Sequence, residues 1–298
     1  MTKRLVYLGT PEMAVAPLRA LHEAGHDVTL VVTQPDKRRG RGGATSPSPV
    51  KALAIELGIP VSHVVDDVMA TEADLGVVVA FGKLIKPHVL DAVPMINVHF
   101  SLLPRWRGAA PVERALLAGD LETGVCIMDV DVTLDTGAIY ADEVVTIGES
   151  DTADDLRLRL VEVGTRLLVD VVGQDPLPTP APQVGEPTYA DKFSPEEWEL
   201  DWATPAVQLG RWVRAGHAWT SFRGRRLRVL AAAVVDTPTD VPAPGGLGED
   251  GMTVGTGSGG LLLERVQPEG RAPMSWRDFA NGSRPEPGET FDSVPSDG

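Results

Sequence analysis

The sequence predicts an α/β protein in two parts, a mostly parallel, doubly wound sheet followed by a small β-barrel or sandwich. Apolar strand runs alternate with amphipathic helical stretches from Arg4 to Gly173, which is the signature of strands joined by helical crossovers. The proline-rich stretch QDPLPTPAPQVGEPT (Gln174 to Thr188) then ends regular structure and is expected to run over a surface. From about Thr204 one helical stretch is followed by short strand candidates broken by glycine and proline, which points to a second, all-β body.

The elements follow in order. RLVYLGT is a first strand. PEMAVAPLRALHEAG has helical spacing at Val15, Leu18 and Leu21, and Gly25 is its stop. DVTLVVTQ is a second buried strand. In PSPVKALAIELG, Ser48 is placed to cap a helix, Pro49 suits its first turn and Gly58 ends it. VSHVV, LGVVVAFG and MINVHF supply three more strands. APVERALLAG is a helix, VCIMDVD and AIYADEVVTI are strands, and DTADDLRLRLVEVGTRLLVDVVG is a long amphipathic helix with acids at its start. In the second part PAVQLGRWVRAG is helical, and RLRVLAAAVV, GMTVGTG and GGLLLERVQ read as strands. The acidic PEPGETFDSVPSDG at the C-terminus reads as a solvated, disordered tail.

A chain of 298 residues can bury a large core and is expected to form more than one domain. No apolar run approaches the ~20 residues needed to span a bilayer, and the start has no signal-peptide pattern. The single cysteine, Cys126, excludes an intramolecular disulfide and a cysteine-based zinc site, so the expected compartment is the cytoplasm. The net charge of −15 disfavours indiscriminate polyanion binding. It leaves room for local basic patches, and there are two: DKRRGRGG (Asp36 to Gly43) and RGRRLR (Arg223 to Arg228). His22 and His26 have i, i+4 spacing, but without a third ligand they make a poor metal site, and none is expected.

The chemistry concentrates in INVHFSLLPRWRGAAP, Ile96 to Pro111. Alternate strand residues share a face, so Asn97, His99 and Ser101 line up at the carboxyl end of a buried strand, where open parallel sheets bind ligands. A lone histidine there is more often a satisfied core residue. An amide beside it and a loop of Arg105, Trp106 and Arg107 after it make a functional reading equally strong. In LDTGAI (Leu134 to Ile139), Asp-Thr-Gly suits a plain tight turn. If its loop folds over the same edge, Asp135 can also meet His99 and orient the imidazole. Amide, imidazole and carboxylate together suit acyl transfer between nitrogens: an oxyanion develops, Asn97 and His99 donate to it, and His99 relays a proton. No covalent nucleophile is implied, because Cys126 lies inside a strand run and Ser101 has no GxSxG elbow. GTPEM after the first strand is not GxGxxG, which weakens a dinucleotide-binding reading. GRGG after DKRR is either a solvated loop or a flexible phosphate clamp.

NVHFSLLPRWRGAAP together with DVTLDTGAI resembles the folate-dependent formyltransferases, whose pattern is Asn-x-His-x-Ser-Leu-Leu-Pro-x-x-Arg-Gly followed by a downstream Asp-x-Gly. VTQPDKRRGRG, PSPVK, TYADK and LERVQPEGRAPMSWRDF are similar to the branch that acts on charged tRNA, and the resemblance runs over about residues 3 to 284. It implies a Rossmann-like catalytic domain (1–187), a linker (188–203) and an OB-like tRNA-binding domain (204–298). It implies transfer of the formyl group of 10-formyltetrahydrofolate, without metal, to the α-amine of methionine on initiator tRNA, by a monomer with no membrane partner. Carried over by motif, Asn97, His99 and Asp135 are catalytic. Ser101, Leu102, Leu103 and Pro104, with Phe81, Gly82, Leu84 and Ile85, touch the folate. Lys37, Arg38, Arg39 and Arg41 of the Gln34 to Ala44 insertion, with Arg223, Arg225 and Arg226, touch tRNA. Met13 stands in the methionyl pocket where the family usually has an aromatic, and RAGHAWTSF (Arg214 to Phe222) departs from the usual aromatic- and proline-bearing sequence. The competing readings are a formyltransferase with a small amine acceptor (a nucleotide-linked amino sugar or glycinamide ribonucleotide), a Rossmann oxidoreductase, and an RNA-binding module with an inactive transferase domain.

Overall fold

The computed structural model describes residues 2–38, 45–235 and 242–291. By proximity the chain divides into two compact units. The first comprises Met1–Val112, Leu121–Ile147 and Asp155–Asp191; the second comprises Glu113–Asp120, Gly148–Asp154 and Lys192–Gly298.

The first unit is built on a seven-stranded sheet of β1 (Arg4–Gly9), β2 (Asp27–Val32), β3 (Val61–Ser62), β4 (Leu75–Val79), β5 (Met95–His99), β6 (Glu122–Asp129) and β7 (Ile139–Thr146), in the order β7-β6-β5-β4-β1-β2-β3. The strands from β3 to β5 pair in parallel, whereas β6 runs antiparallel to β5 and β7 antiparallel to β6. The reversal at β6–β7 follows from the short 130–138 connection, which cannot carry a parallel crossover. The parallel strands are buried on both faces: Leu5, Val6, Tyr7, Leu8, Val77, Val79 and Ile96 have no exposed surface.

Helices α1 (Val15–Glu23), α2 (Pro49–Glu56) and α3 (Pro87–Ala92) connect the parallel strands. Helix α2 starts as its sequence dictates, with the Ser48 hydroxyl accepting the Lys51 N–H at 3.1 Å and Pro49 in the first turn. After α4 (Pro111–Ala118) and the β6–β7 pair comes α5 (Ala153–Val172). It lays Leu156, Leu160, Leu168 and Val172 on its buried side, and Gly164 lets it close on Val98 and Val125.

Two expected elements are shorter than their sequence suggests. PEMAVAPLRALHEAG begins as a single 3-10 turn, Glu12–Ala14, and its α-helix ends at Glu23, so His22 and His26 do not share a helix face. VSHVV keeps only Val61–Ser62 as strand. The Ser62 hydroxyl donates to Asp67 Oδ2 at 2.5 Å and accepts the Val64 N–H, which turns the chain into the 3-10 helix Val65–Ala70.

The second unit is a five-stranded antiparallel half-barrel, as an OB-like domain requires. Its strands are β8 (Trp219–Phe222), β9 (Arg225–Val235), β10 (Thr253–Gly255), β11 (Gly260–Pro268) and β12 (Met274–Ser275), paired β8-β9-β11-β10 with β12 on β11. Helices α6 (Ala206–Ala215) and α7 (Trp276–Ser283) complete it. Strand β8 and helix α7 are additional to the elements expected from the sequence. Helix α7 is capped by the Ser275 hydroxyl, which accepts the Asp278 N–H at 3.1 Å.

The expected solvated tail needs correction. Phe291 is 3% exposed, and its ring centroid lies 5.2–5.9 Å from those of Phe222, Trp202 and Trp276. The Leu247 N–H donates to the Glu289 carbonyl and the Phe291 N–H to the Gly245 carbonyl. One large apolar side chain outweighs the polar composition around it. Residues 292–298 of that tail lie outside the described residues.

Candidate active site

Strand β5 carries Asn97 and His99 to the carboxyl edge of the sheet. Asn97 pairs with Val78 of β4 and Met128 of β6, and His99 with Cys126, so the backbone holds both side chains to one register. Asn97 is half-buried, while the His99 side chain is 6% exposed. Beyond His99 the chain enters a tight loop in which the Ser101 hydroxyl donates to the Arg105 carbonyl at 2.6 Å. Trp106 takes φ +62°, a left-handed conformation that costs a non-glycine residue about 1–2 kcal/mol. In that conformation its carbonyl lies 2.9 Å from His99 Nε2. A carbonyl only accepts, so Nε2 carries the hydrogen and Nδ1 faces the other way.

What it faces is Asp135. The carboxylate Oδ2 stands 3.7 Å from His99 Nδ1, with the Asp135 side chain 13% exposed. The residue lies in the loop between β6 and β7, also left-handed at φ +51°. Two glycines make the arrangement possible. A side chain at Gly137 would fall 2.0 Å from the Asp129 carbonyl. Gly108, at φ +125° and hard against the Ala190 carbonyl, donates its N–H to Asp135 Oδ2 at 2.8 Å. The same oxygen therefore takes a backbone hydrogen bond and approaches the imidazole, which is what fixes a carboxylate against its partner. The Asn97 amide makes no hydrogen bond to another described residue.

The loop is clamped by a segment expected to open the linker. The Thr188 hydroxyl accepts the Trp106 N–H at 2.9 Å, the Thr188 carbonyl accepts the Arg107 N–H, and the Ala190 carbonyl accepts the N–H groups of Ala109 and Ala110. Tyr189–Ala190 pairs in parallel with Arg107–Gly108. Five residues upstream of Thr188, the Gln183 side chain joins Arg107 to the Asp135 loop. Composition hides these ties, because proline-rich sequence reads as unstructured.

The other expected contacts are distributed unevenly. Ser101 has no exposed surface and Leu103 is buried beside Cys126 and Met128, so these two support the loop, while Leu102 and Pro104 are half-buried. Phe81 and Ile85 are buried in the core under β1 and β4, whereas Leu84 is 75% exposed and Gly82 adopts φ +74°. The Gln34 amide donates to the Phe81 carbonyl at 3.2 Å, a tie between residues 47 apart in the chain. Met13 is half-buried in the 3-10 turn after β1, anchored by the Tyr7 hydroxyl on the Ala14 carbonyl at 2.6 Å. Burial pushes the Cys126 thiol up to about 12, which leaves it inert as a nucleophile at neutral pH. Among the described residues no cluster of three or more His, Cys, Asp or Glu is arranged to hold a metal ion, and no helix is long and apolar enough to cross a membrane.

Of the basic residues, Lys37 and Arg38 form a two-residue strand with Thr45–Ser46, and Arg39 and Arg41 lie outside the described residues. Arg223, Arg225 and Arg226 line a surface groove of about 370 Å³ in the second unit, together with Arg271. They are not equivalent. Arg223 is committed to Glu289 at 2.5 and 2.8 Å and to the Ser283 carbonyl, and Arg226 lies 4.2 Å over the Trp219 ring.

An imidazole and a carboxylate meeting at the edge of a mostly parallel sheet, on a chain that also carries an antiparallel half-barrel, define a two-domain α/β protein of the formyltransferase fold. The chain belongs to the formyl transferase family: residues 3–172 match Formyl transferase and residues 192–284 match Formyl transferase, C-terminal domain. It is 42% identical to the methionyl-tRNA formyltransferase of Symbiobacterium thermophilum, over 97% of this chain and 95% of the relative. It is 40% identical to that of Roseobacter denitrificans, over 97% and 98%. Its structure is similar to the N-formyltransferase of Helicobacter canadensis solved with folinic acid and dTDP-3-aminofucose, with a TM-score of 0.69, 16% identity, and coverage of 90% of this chain and 100% of that one. At that identity the likeness is one of fold.

Proposed function

We propose that this chain transfers the formyl group of 10-formyltetrahydrofolate to the α-amino group of methionine on initiator tRNA. The observation that carries the chemistry is the 3.7 Å approach of Asp135 to His99 at the carboxyl end of β5, with Asn97 two residues upstream on the same strand. The relatives that are 40–42% identical over nearly the whole chain support the tRNA acceptor.

In this reading the amine attacks the formyl carbon and its carbonyl oxygen becomes an oxyanion. The Asn97 amide, which has no competing partner among the described residues, donates to that oxygen. His99 exchanges its bond to the Trp106 carbonyl for the reacting groups, with its ring hydrogen on Nδ1 toward Asp135 so that Nε2 takes the amine proton, and Asp135 stabilises the resulting imidazolium. Once the new N–C bond has formed, the oxyanion collapses, the bond from the formyl carbon to N10 of the folate breaks, and the proton shed by the amine ends on N10. No covalent enzyme intermediate is needed, in keeping with the buried, protonated Cys126.

The small-acceptor reading shares this chemistry and lacks relatives of comparable identity among those described above. The two are separated by offering labelled 10-formyltetrahydrofolate with charged initiator tRNA, a nucleotide-linked amino sugar or glycinamide ribonucleotide. Label appearing on methionyl-tRNA alone is expected. Background incorporation on tRNA by folded protein rejects the proposal.

A further inference from the structure

The amide of Gln183 is fully used, and everything it touches belongs to the two loops that hold His99 and Asp135. Its Oε1 accepts Arg107 Nε at 3.1 Å and Arg107 Nη2 at 2.6 Å. Its Nε2 donates to the Asp135 carbonyl at 2.8 Å and the Gly137 carbonyl at 2.9 Å. Turning the amide over would set its NH₂ against a guanidinium and its oxygen against two carbonyls, so the network fixes its orientation.

The backbone beside it is anchored as well. Ala181, two residues earlier, exchanges hydrogen bonds of 2.7 and 2.8 Å with Ile139 at the start of β7. On one side of the amide, Arg107 lies between Trp106, whose carbonyl holds His99 Nε2, and Gly108, whose N–H holds Asp135 Oδ2. On the other side is the left-handed turn that presents Asp135.

We propose that Gln183 is a positioning residue for formyl transfer, setting the Asp135 carboxylate against His99 by tying the Asp135 loop to the Arg107 loop. It acts through Asp135 and touches no reacting group. No other side chain reproduces the four bonds. Glutamate keeps the Arg107 contact but presents oxygen to both carbonyls, asparagine is one methylene short, and leucine makes none of the bonds. The rate consequence rests on the function proposed above; the geometric consequence does not.

The test is a two-by-two set of variants, Gln183→Leu and Asp135→Asn singly and together, with Gln183→Glu as a second single variant. Each is assayed for kcat, for KM of both substrates, and for hydrogen exchange at the Gly108 amide. Misplacing a catalytic group by about 1 Å can cost on the order of 100-fold, so Gln183→Leu and Gln183→Glu should each lower kcat by about 10- to 100-fold. Both KM values should stay within about 3-fold. On the Asp135→Asn background, Gln183→Leu should add less than about 3-fold, because a residue acting through Asp135 has nothing left to position. Gly108 amide protection should fall by about 10-fold in both Gln183 variants, since its acceptor has moved. Wild-type kcat in Gln183→Leu, fully multiplicative losses in the double variant, or unchanged Gly108 protection would each overturn the proposal. A wild-type protein with no transferase activity would sink the functional reading instead, and the Gly108 measurement would still decide whether Gln183 places Asp135.

Discussion

Replacing Asp135 by asparagine removes the charge that faces His99 while leaving an oxygen to accept the Gly108 N–H, so it isolates the electrostatic part of the pair. At 3.7 Å, and with an effective dielectric of about 20 for a largely buried site, a unit negative charge stabilises an imidazolium by about 4 to 5 kcal/mol. If the imidazole is cationic in the transition state and neutral in the ground state, that energy acts almost wholly on the barrier. At 1.36 kcal/mol per factor of ten, kcat should fall by roughly three orders of magnitude. Folate KM should change by less than about 3-fold, since the lost interaction belongs to the transition state. The melting temperature should stay within about 2 °C, because the Gly108 bond and the loop survive. The assay is single-turnover formyl transfer to charged tRNA, with folate and tRNA both saturating. A kcat within about 5-fold of wild type would refute the reasoning, because the carboxylate would then have no part in stabilising charge on the ring.

Three further outcomes are expected, one at the same site and two in the second unit. His99→Ala should lose several orders of magnitude in kcat while folate binding, read by calorimetry, largely survives; a mild effect would make His99 a core residue. Phe291→Ala should destabilise the second unit by about 3–5 kcal/mol in urea unfolding, as for other buried phenylalanines, and a loss below about 1 kcal/mol would return residue 291 to a solvated tail. The hydrogen bonds from Arg223 hold the Glu289 carboxyl below its usual range, so this pair contributes stability at neutral pH that is lost as pH falls through the lowered value. Arg223→Ala should therefore be less stable than wild type at pH 7, and the gap should narrow as the pH falls through the lowered Glu289 value; a gap unchanged in acid would mean that the charge pair is not its source.

Comparing residues shows why some features were legible in the chain and others were not. The Ser48–Pro49 start of α2 is a local matter of one hydroxyl and one N–H, and it appears as the sequence implies. The truncation of VSHVV is equally local, but the Ser62–Asp67 bond that causes it competes with a strand pattern that looks stronger. Phe291 was lost among acids and prolines because composition averages over a window, whereas burial is decided by a single ring meeting Trp202, Phe222 and Trp276. The composition of the proline-rich segment implies a chain running over a surface, yet it supplies Gln183 and Thr188 to the site, because proline restricts the backbone without preventing the next side chain from bonding.

The sequence by itself determined the strand and helix order, the register that points Asn97 and His99 the same way, and the absence of an activated nucleophile, since each follows from near neighbours along the chain. Only the tertiary structure decided that Asp135 reaches the imidazole, that the Trp106 carbonyl holds its far nitrogen, and that Gln183 binds the two loops together. Those contacts span 7 to 76 residues of chain. They depend on glycines that let backbones approach, on left-handed turns at Trp106 and Asp135, and on the antiparallel return of β6 and β7, none of which a local pattern specifies.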